Sequence, residues 1–160
     1  MKKTRYILIV GILFLDQLVK FVVRSSMYAG QSIPVIQDFF HLTYVRNEGA
    51  AFNLFEGKAA FLTMVPFLAL LFAVWYMEKH RDGHPTLLVS LILIISGGLG
   101  NLIDRVFLGF VTDLFDFRFF PVFNIADIAI CVGCGFLILY IFIFDGKETK
   151  KYVDTGEQSE

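Results

Sequence analysis

Four stretches of this chain are long and apolar enough to cross the hydrocarbon core of a bilayer, and this restricts the fold more than any other feature. They cover about 6–23, 59–77, 86–103 and 125–144, each near the roughly 20 residues that a membrane-crossing helix requires. Composition points the same way: of 160 residues, 56% are hydrophobic and 19 are Phe, while only 18% are charged. A soluble domain is usually about 25% charged. Folding a chain of roughly 150 residues still leaves about 30% of its unfolded surface in contact with solvent, so the apolar surplus must face lipid. A formal net charge of -1 provides no basic face for nucleic acid. The expected fold class is a membrane all-α protein with four transmembrane helices, one domain over 1–145 and a polar cytoplasmic tail over 146–160.

Basic residues in the short connections set the orientation. Lys2, Lys3 and Arg5 precede the first span, Lys79 and Arg81 lie between the second and third, and Lys147, Lys150 and Lys151 follow the fourth. Both termini are therefore expected in the cytoplasm. The chain starts like a signal peptide, with a basic segment and an apolar run. That run is long for one, is interrupted by Asp16 and Lys20, and lacks a small-x-small cleavage site, so it reads as a retained span. The first outer connection, 24–58, contains SIPVIQDFFHLTYV over 32–45. Its β-branched and aromatic content predicts a small extracytoplasmic sheet or hairpin on the membrane surface.

Ionisable groups in or beside a span are costly and are functional candidates by default. Here they collect at one end. Asp16 and Lys20 lie in the outer half of the first span, and Asn101, Asp104 and Arg105 close the third. Asp113 and Asp116 follow in a connection, Asn124 and Asp127 open the fourth span, and Asn47 and Asn53 precede the second. Plainer readings exist for each: an i, i+4 ion pair for Asp16 and Lys20, an interfacial anchor for Arg105, a helix cap for Asp127, solvent decoration for Asp113 or Asp116. One polar site at the outer boundary would account for all of them together. Gly97, Gly98 and Gly100 nearby would admit a close helix or a substrate backbone.

In chain order, these residues fall in five segments: Leu15-Asp16-Gln17-Leu18-Val19-Lys20, Val45-Arg46-Asn47-Glu48-Gly49-Ala50-Ala51-Phe52, Gly97-Gly98-Leu99-Gly100-Asn101-Leu102-Ile103-Asp104-Arg105, Gly109-Phe110-Val111-Thr112-Asp113 and Phe120-Pro121-Val122-Phe123-Asn124-Ile125-Ala126-Asp127. The chain, over about 5–145, resembles the lipoprotein signal peptidases (signal peptidase II), integral-membrane aspartic endopeptidases of the bacterial cytoplasmic (inner) membrane. The resemblance implies catalytic aspartates at Asp113 and Asp127. It implies a lining or supporting role for Asn47, Asn101, Arg105 and Asn124, with Asp16 and Lys20 as a structural pair. Gly49 and Asp104 lie in the same segments and count as supporting positions, and small residues over 49–52 and 97–100 would suit clamping a signal helix. The implied substrates are diacylglyceryl-modified prolipoproteins, cut before the lipidated Cys at an outer-face site bordered by membrane lipid. No cofactor or metal is expected, and a unit that houses its whole site is expected as a monomer. One departure is Leu114, where the family usually has an aromatic or another bulky residue directly after the first aspartate. Asp116 nearby makes a rival for that role.

Two carboxylates held close share a proton, because one ionised group disfavours the other. That suits water activation by one and proton donation by the other. Two other classes compete: a metal-dependent lipid phosphotransferase using Asp113 and Asp116, and a small proton-coupled transport protein. Cys131-x-x-Cys134, inside the fourth span, reads as apolar packing. His80 and His84 lack the Glu of a zinc-peptidase helix and read as loop residues. His41 has no evident ligand partners.

Overall fold

The computed structural model describes residues 2–49 and 59–145. Asn53, residues 50–52 of the expected clamp and the tail over 146–160 lie outside them. Helix α1 spans Lys2–Ser26, followed by strands β1 (Ser32–Ile36) and β2 (Phe40–Asn47). Helices α2 (Ala59–Lys79) and α3 (Pro85–Leu108) come next, then β3 (Val111–Asp116) and α4 (Ile125–Tyr140), which ends in a π-helical turn over Ile141–Asp145. All four helical regions are long and apolar enough to span a membrane.

The helices run alternately up and down, and α3 is the central one. Some 61% of its most apolar stretch is buried, against 17–22% in the other three. Those three turn large side chains outward, among them Phe14, Phe21, Phe72 and Phe142, as a lipid-facing surface requires. Pro66 lies inside α2, a position that membrane helices tolerate. Cys131 and Cys134 are free and exposed on α4. They therefore face the lipid side rather than the packed interior that the sequence suggested.

Each glycine of α3 admits a different neighbour. A Cβ at Gly97 would collide with the carbonyl oxygen of Ala126 on α4. One at Gly98 would lie 2.6 Å from Leu70 Cδ2 on α2, and one at Gly100 2.5 Å from Asp16 Oδ2 on α1. The space that the sequence offered to a substrate backbone at these three positions is taken by the protein's own helices. Gly133 does the same from α4, with Ser90 O 2.9 Å from where its Cβ would be.

The strands form one antiparallel sheet in the order β1-β2-β3. The hairpin β1–β2 matches the expectation over 32–45. Strand β3 was not anticipated, because two aspartates in VTDLFD hide its apolar alternation. Val23 of α1, Tyr44 of β2 and Leu114 of β3 form a buried cluster that fixes the sheet to the end of the bundle. Leu114 is only 2% exposed there, so a leucine fills this contact without an aromatic ring.

The helix–helix contact at Gly97 leaves no room for a side chain. Gly97→Leu should therefore cost about 1–3 kcal/mol through overpacking. Thermal unfolding in detergent should register the loss, and a variant as stable as the parent would show that α3 and α4 can separate there without penalty.

Candidate active site

The polar residues meet at the end of the bundle that carries the sheet. Lys20, on α1, is completely buried, and its ammonium has three donors to place. It pairs with Asp16 Oδ2 at 2.9 Å and Asp104 Oδ2 at 3.4 Å, and donates to Asn101 Oδ1 at 2.9 Å. Asp16 also accepts from the backbone N–H of Ala126 at 2.9 Å, which satisfies a first-turn donor of α4 from another helix. Asp104 accepts from the backbone N–H of Thr112 at 2.9 Å and so ties α3 to β3.

Asn101 has only one orientation that serves these partners. Its oxygen faces Lys20, so its Nδ2 is left to donate to Asp127 Oδ1 at 2.7 Å. Asn124 caps α4, with its Oδ1 accepting from Asp127 N at 2.9 Å and Asp127 Oδ2 accepting in return from Asn124 N at 3.1 Å. The capping reading of Asp127 therefore holds alongside its place in the cluster. The fully buried Asn124 Nδ2 then points to Asp113 Oδ1 at 2.7 Å and to Asn101 Oδ1 at 3.2 Å. The second oxygen of Asp113 accepts from Asn47 Nδ2 at 2.9 Å. Asn47 is oriented in turn by the N–H of Gly49, which donates to its Oδ1 at 2.9 Å. Gly49 has φ 100°, a conformation that favours glycine.

Chain geometry separates Asp113 from its rival. Across β2 and β3, His41 pairs with Asp116 but Val45 pairs with Asp113, an irregularity that adds one residue to β2. Such a bulge shifts the facing of side chains, and residues three apart on β3 point to opposite faces. Asp113 accordingly meets Asn47 and Asn124. Asp116 accepts from Thr43 Oγ1 at 2.8 Å, Arg118 N at 2.9 Å and Arg118 Nη1 at 3.0 Å. Burial pushes the Asp116 carboxyl up, but the hydrogen bonds from Thr43 and Arg118, with the Arg118 charge, outweigh it and hold the group below its usual range. At Asp113 burial dominates. Together with the nearby charge of Asp127, it prevails over the bonds from Asn47 and Asn124 and the Lys20 charge, and pushes the carboxyl up to about 6.

The return of the chain from Asp116 to Asn124 is held by Phe123, whose carbonyl accepts from both Leu114 N and Phe115 N and whose N–H donates to Phe115 O. Rings at 115, 117, 119, 120 and 123 pack along this return, Phe117 and Phe123 stacking at 5.9 Å. This clamp brings the first turn of α4 beside β3.

Arg105 is half-buried in the field of Asp127, Asp113 and Asp104, yet it makes no hydrogen bond or ion pair among the described residues. It lines a small pocket of about 40 Å³ with Asn47, Glu48, Leu62, Thr63 and Gly109. The other expected site residues, Asp16, Lys20, Asn47, Gly49, Asn101, Asp104, Asp113, Asn124 and Asp127, belong to the one network described above. His41 instead bonds Ser32 Oγ through Nδ1 at 3.0 Å. Away from the site, His80 stacks on Tyr76, and the ring of His84 caps α3 by accepting from Thr86 N at 3.3 Å.

Three participants were missed in the sequence. Gln17 Nε2 donates to Gly100 O at 3.1 Å, Asp16 Oδ2 at 3.2 Å and Asp104 Oδ1 at 3.3 Å. Arg24 donates to Thr112 Oγ1 at 3.0 Å and pairs with Asp104 Oδ1 at 3.5 Å. Arg24 was legible, since Asp16, Lys20 and Arg24 continue one i, i+4 row on a helix face. Nothing local distinguished Gln17 or Thr112.

A family model described as Signal peptidase (SPase) II matches residues 8–143. The chain is 48% identical over 145 residues to a lipoprotein signal peptidase of Clostridioides difficile, covering 89% of this chain and 97% of that protein. It is 44% identical over 137 residues to one of Halothermothrix orenii, covering 86% and 94%. A solved structure described as a bacterial membrane enzyme, determined by the in meso method at 1.9 Å, superposes with a TM-score of 0.81 at 32% identity, covering 89% of this chain and 94% of that one. With a match across nearly all of the membrane bundle, the chain belongs to the signal peptidase II family of multi-pass bacterial membrane proteases, whose catalysis is of the aspartic class.

Proposed function

We propose that Asp113 and Asp127 are the proton-sharing pair of a peptidase that removes signal peptides from diacylglyceryl-modified prolipoproteins, cutting before the lipidated Cys. The observation that carries this is the amide relay between them: Asn124 Nδ2 on Asp113 at 2.7 Å and Asn101 Nδ2 on Asp127 at 2.7 Å. Amide N–H groups only donate, so each carboxyl is held in place with an oxygen lone pair still free for water or a shared proton.

Charge supports one proton on the pair. Asp16 and Asp104 are balanced by Lys20 and Arg24. Asp113 and Asp127 together then face the single charge of Arg105, and a pair holding one proton matches it. In the reaction, the ionised carboxylate takes a proton from a water while the neutral one donates to the scissile carbonyl oxygen. Water oxygen bonds to the carbonyl carbon, giving a tetrahedral gem-diol. When the C–N bond breaks, a proton passes to the leaving amine, and one proton is again shared by the pair. Arg105, with no other partner among the described residues, is free to hold a peptide carbonyl.

Basic residues at the opposite end argue that both termini are cytoplasmic and the site outer. A precursor would then present its signal helix in lipid and its scissile bond at the water boundary. Every residue of the network comes from one chain, so a monomer suffices. Asp116 is committed to its turn and is not assigned a reacting role, which leaves the Asp113/Asp116 metal reading without its second ligand.

A cleavage assay on a diacylglyceryl-modified precursor tests this. Asp113→Asn and Asp127→Asn should each lower kcat/KM by more than about a hundredfold with the protein still inserted. Asp116→Asn should leave most activity, and EDTA should have no effect. Cleavage that needs Asp116 but not Asp113 would overturn the assignment.

The pH profile gives a signed test. Catalysis needs one proton on the pair, so kcat/KM should decline as pH rises past about 6, where Asp113 loses its proton. Asn47 stabilises the ionised form of Asp113, so Asn47→Ala should move that alkaline limb upward. A downward move would show that Asn47 does not act on this acid. Lys20→Met would strand Asp16 as a buried charge, leaving Asp104 with Arg24 alone, and should cost about 3–5 kcal/mol, read as a fall in thermal stability.

A further inference from the structure

At the end of the bundle away from the aspartates, Arg5 is an anomaly. It belongs to the basic segment that precedes the first expected span, yet it is only 6% exposed. One terminal nitrogen, Nη2, donates to the backbone carbonyl of Arg81 in the turn between α2 and α3. The other, Nη1, is buried with no hydrogen-bond partner among the described residues. Guanidinium is always charged, its planar fork of donors fits carboxylate and phosphate oxygens, and a buried charge of this kind calls for a counter-charge.

Arg5 lines a groove of about 350 Å³ between α1 and the start of α3. Arg81 stands on the rim, its side chain half-exposed, with Nε on Asp82 Oδ2 at 3.3 Å. Its terminal nitrogens donate to nothing among the described residues. The first turn of α3, beginning at Pro85, also borders the groove, and a helix N-terminus favours negative charge. Two acids at this end have partners of their own among the described residues: Asp82 on Arg81, and Glu78 on the hydroxyl of Tyr6 at 2.8 Å. Below this polar head the walls are Leu8, Leu88 and Val89. Leu8 and Val89 are open to the lipid side, at 49% and 41% exposed.

We propose that this groove binds one anionic glycerophospholipid, its phosphodiester held by Arg5 and Arg81 at the first turn of α3 and an acyl chain lying along Leu8 and Val89. A phosphodiester balances the buried Arg5 charge, which no carboxylate pairs among the described residues, and takes charge-assisted bonds from the exposed terminal nitrogens of Arg81; membrane leaflets supply such headgroups at the depth where basic side chains collect. A free phosphate ion would fill only the polar head and leave the apolar walls unused. The groove is separate from the aspartate network, so the site concerns lipid binding and not cleavage.

Native mass spectrometry of the full-length protein, with phosphatidylglycerol and phosphatidylcholine added in equal amounts, tests this directly. The parent should retain one phosphatidylglycerol in preference. Arg5→Gln should lower that retention by about fivefold or more, to the level of phosphatidylcholine. Lys3→Gln, the same charge change at an exposed neighbour, should leave it unaltered. Leu8→Trp fills the apolar wall with Arg5 intact and should also lower retention, which keeps the test open if Arg5→Gln fails to fold. Parental retention in both the Arg5 and Leu8 variants, or an equal loss in Lys3→Gln, overturns the site. Displacement of the lipid by millimolar inorganic phosphate alone would assign the polar head to a free ion and overturn the lipid.

Discussion

A fully buried ammonium must direct each of its N–H groups at an acceptor, and Lys20 directs its three at Asp16, Asp104 and Asn101. Removing a charge of this kind from water costs several kcal/mol unless it is surrounded by partners. Those partners come from α1 and α3, and through them the arrangement reaches α4 at Ala126 and β3 at Thr112. Four elements are thereby held in register by one charge. The same ammonium also determines which atom of Asn101 faces Asp127, since an amine donor leaves the amide no choice of orientation. Position and polarity at the site have a common physical origin.

Such an arrangement needs close backbones, and the glycines of α3 supply them. Without a hydrophobic drive between helices in lipid, association relies on packing and polar contacts. Gly97 lets α4 approach until its Ala126 carbonyl lies over α3, and Gly100 admits the Asp16 carboxylate. The sheet then covers the polar end. Its buried contact through Val23, Tyr44 and Leu114 keeps β3, and with it Asp113, beside the first turn of α4.

Much of this was legible beforehand. The spans, the hairpin over 32–45, the meeting of Asp16, Lys20, Asn101, Asp104, Asn124 and Asp127 at one end, and the family all follow from residues and their order. What escaped was non-local. Strand β3 carries aspartates where a strand pattern expects apolar residues, and they are satisfied by Asn47, Asn124 and Thr43 from other elements and by Arg118 two residues on. Arg5 reads in the sequence only as one of the basic residues that set the orientation, because its burial depends on the α2–α3 turn, some 76 residues away in sequence.

The sequence by itself determined that this chain lives in a membrane, because an apolar excess of this size has no other solvent, and that its polar minority gathers at one end, because ionisable groups inside lipid are too costly to scatter. It also left Asp113 and Asp116 as rivals three residues apart. Only the tertiary structure gave them different surroundings: three residues apart on β3 they face opposite sides of the sheet, and a single extra residue in β2 sets Asn47 beside Asp113 and Thr43 beside Asp116.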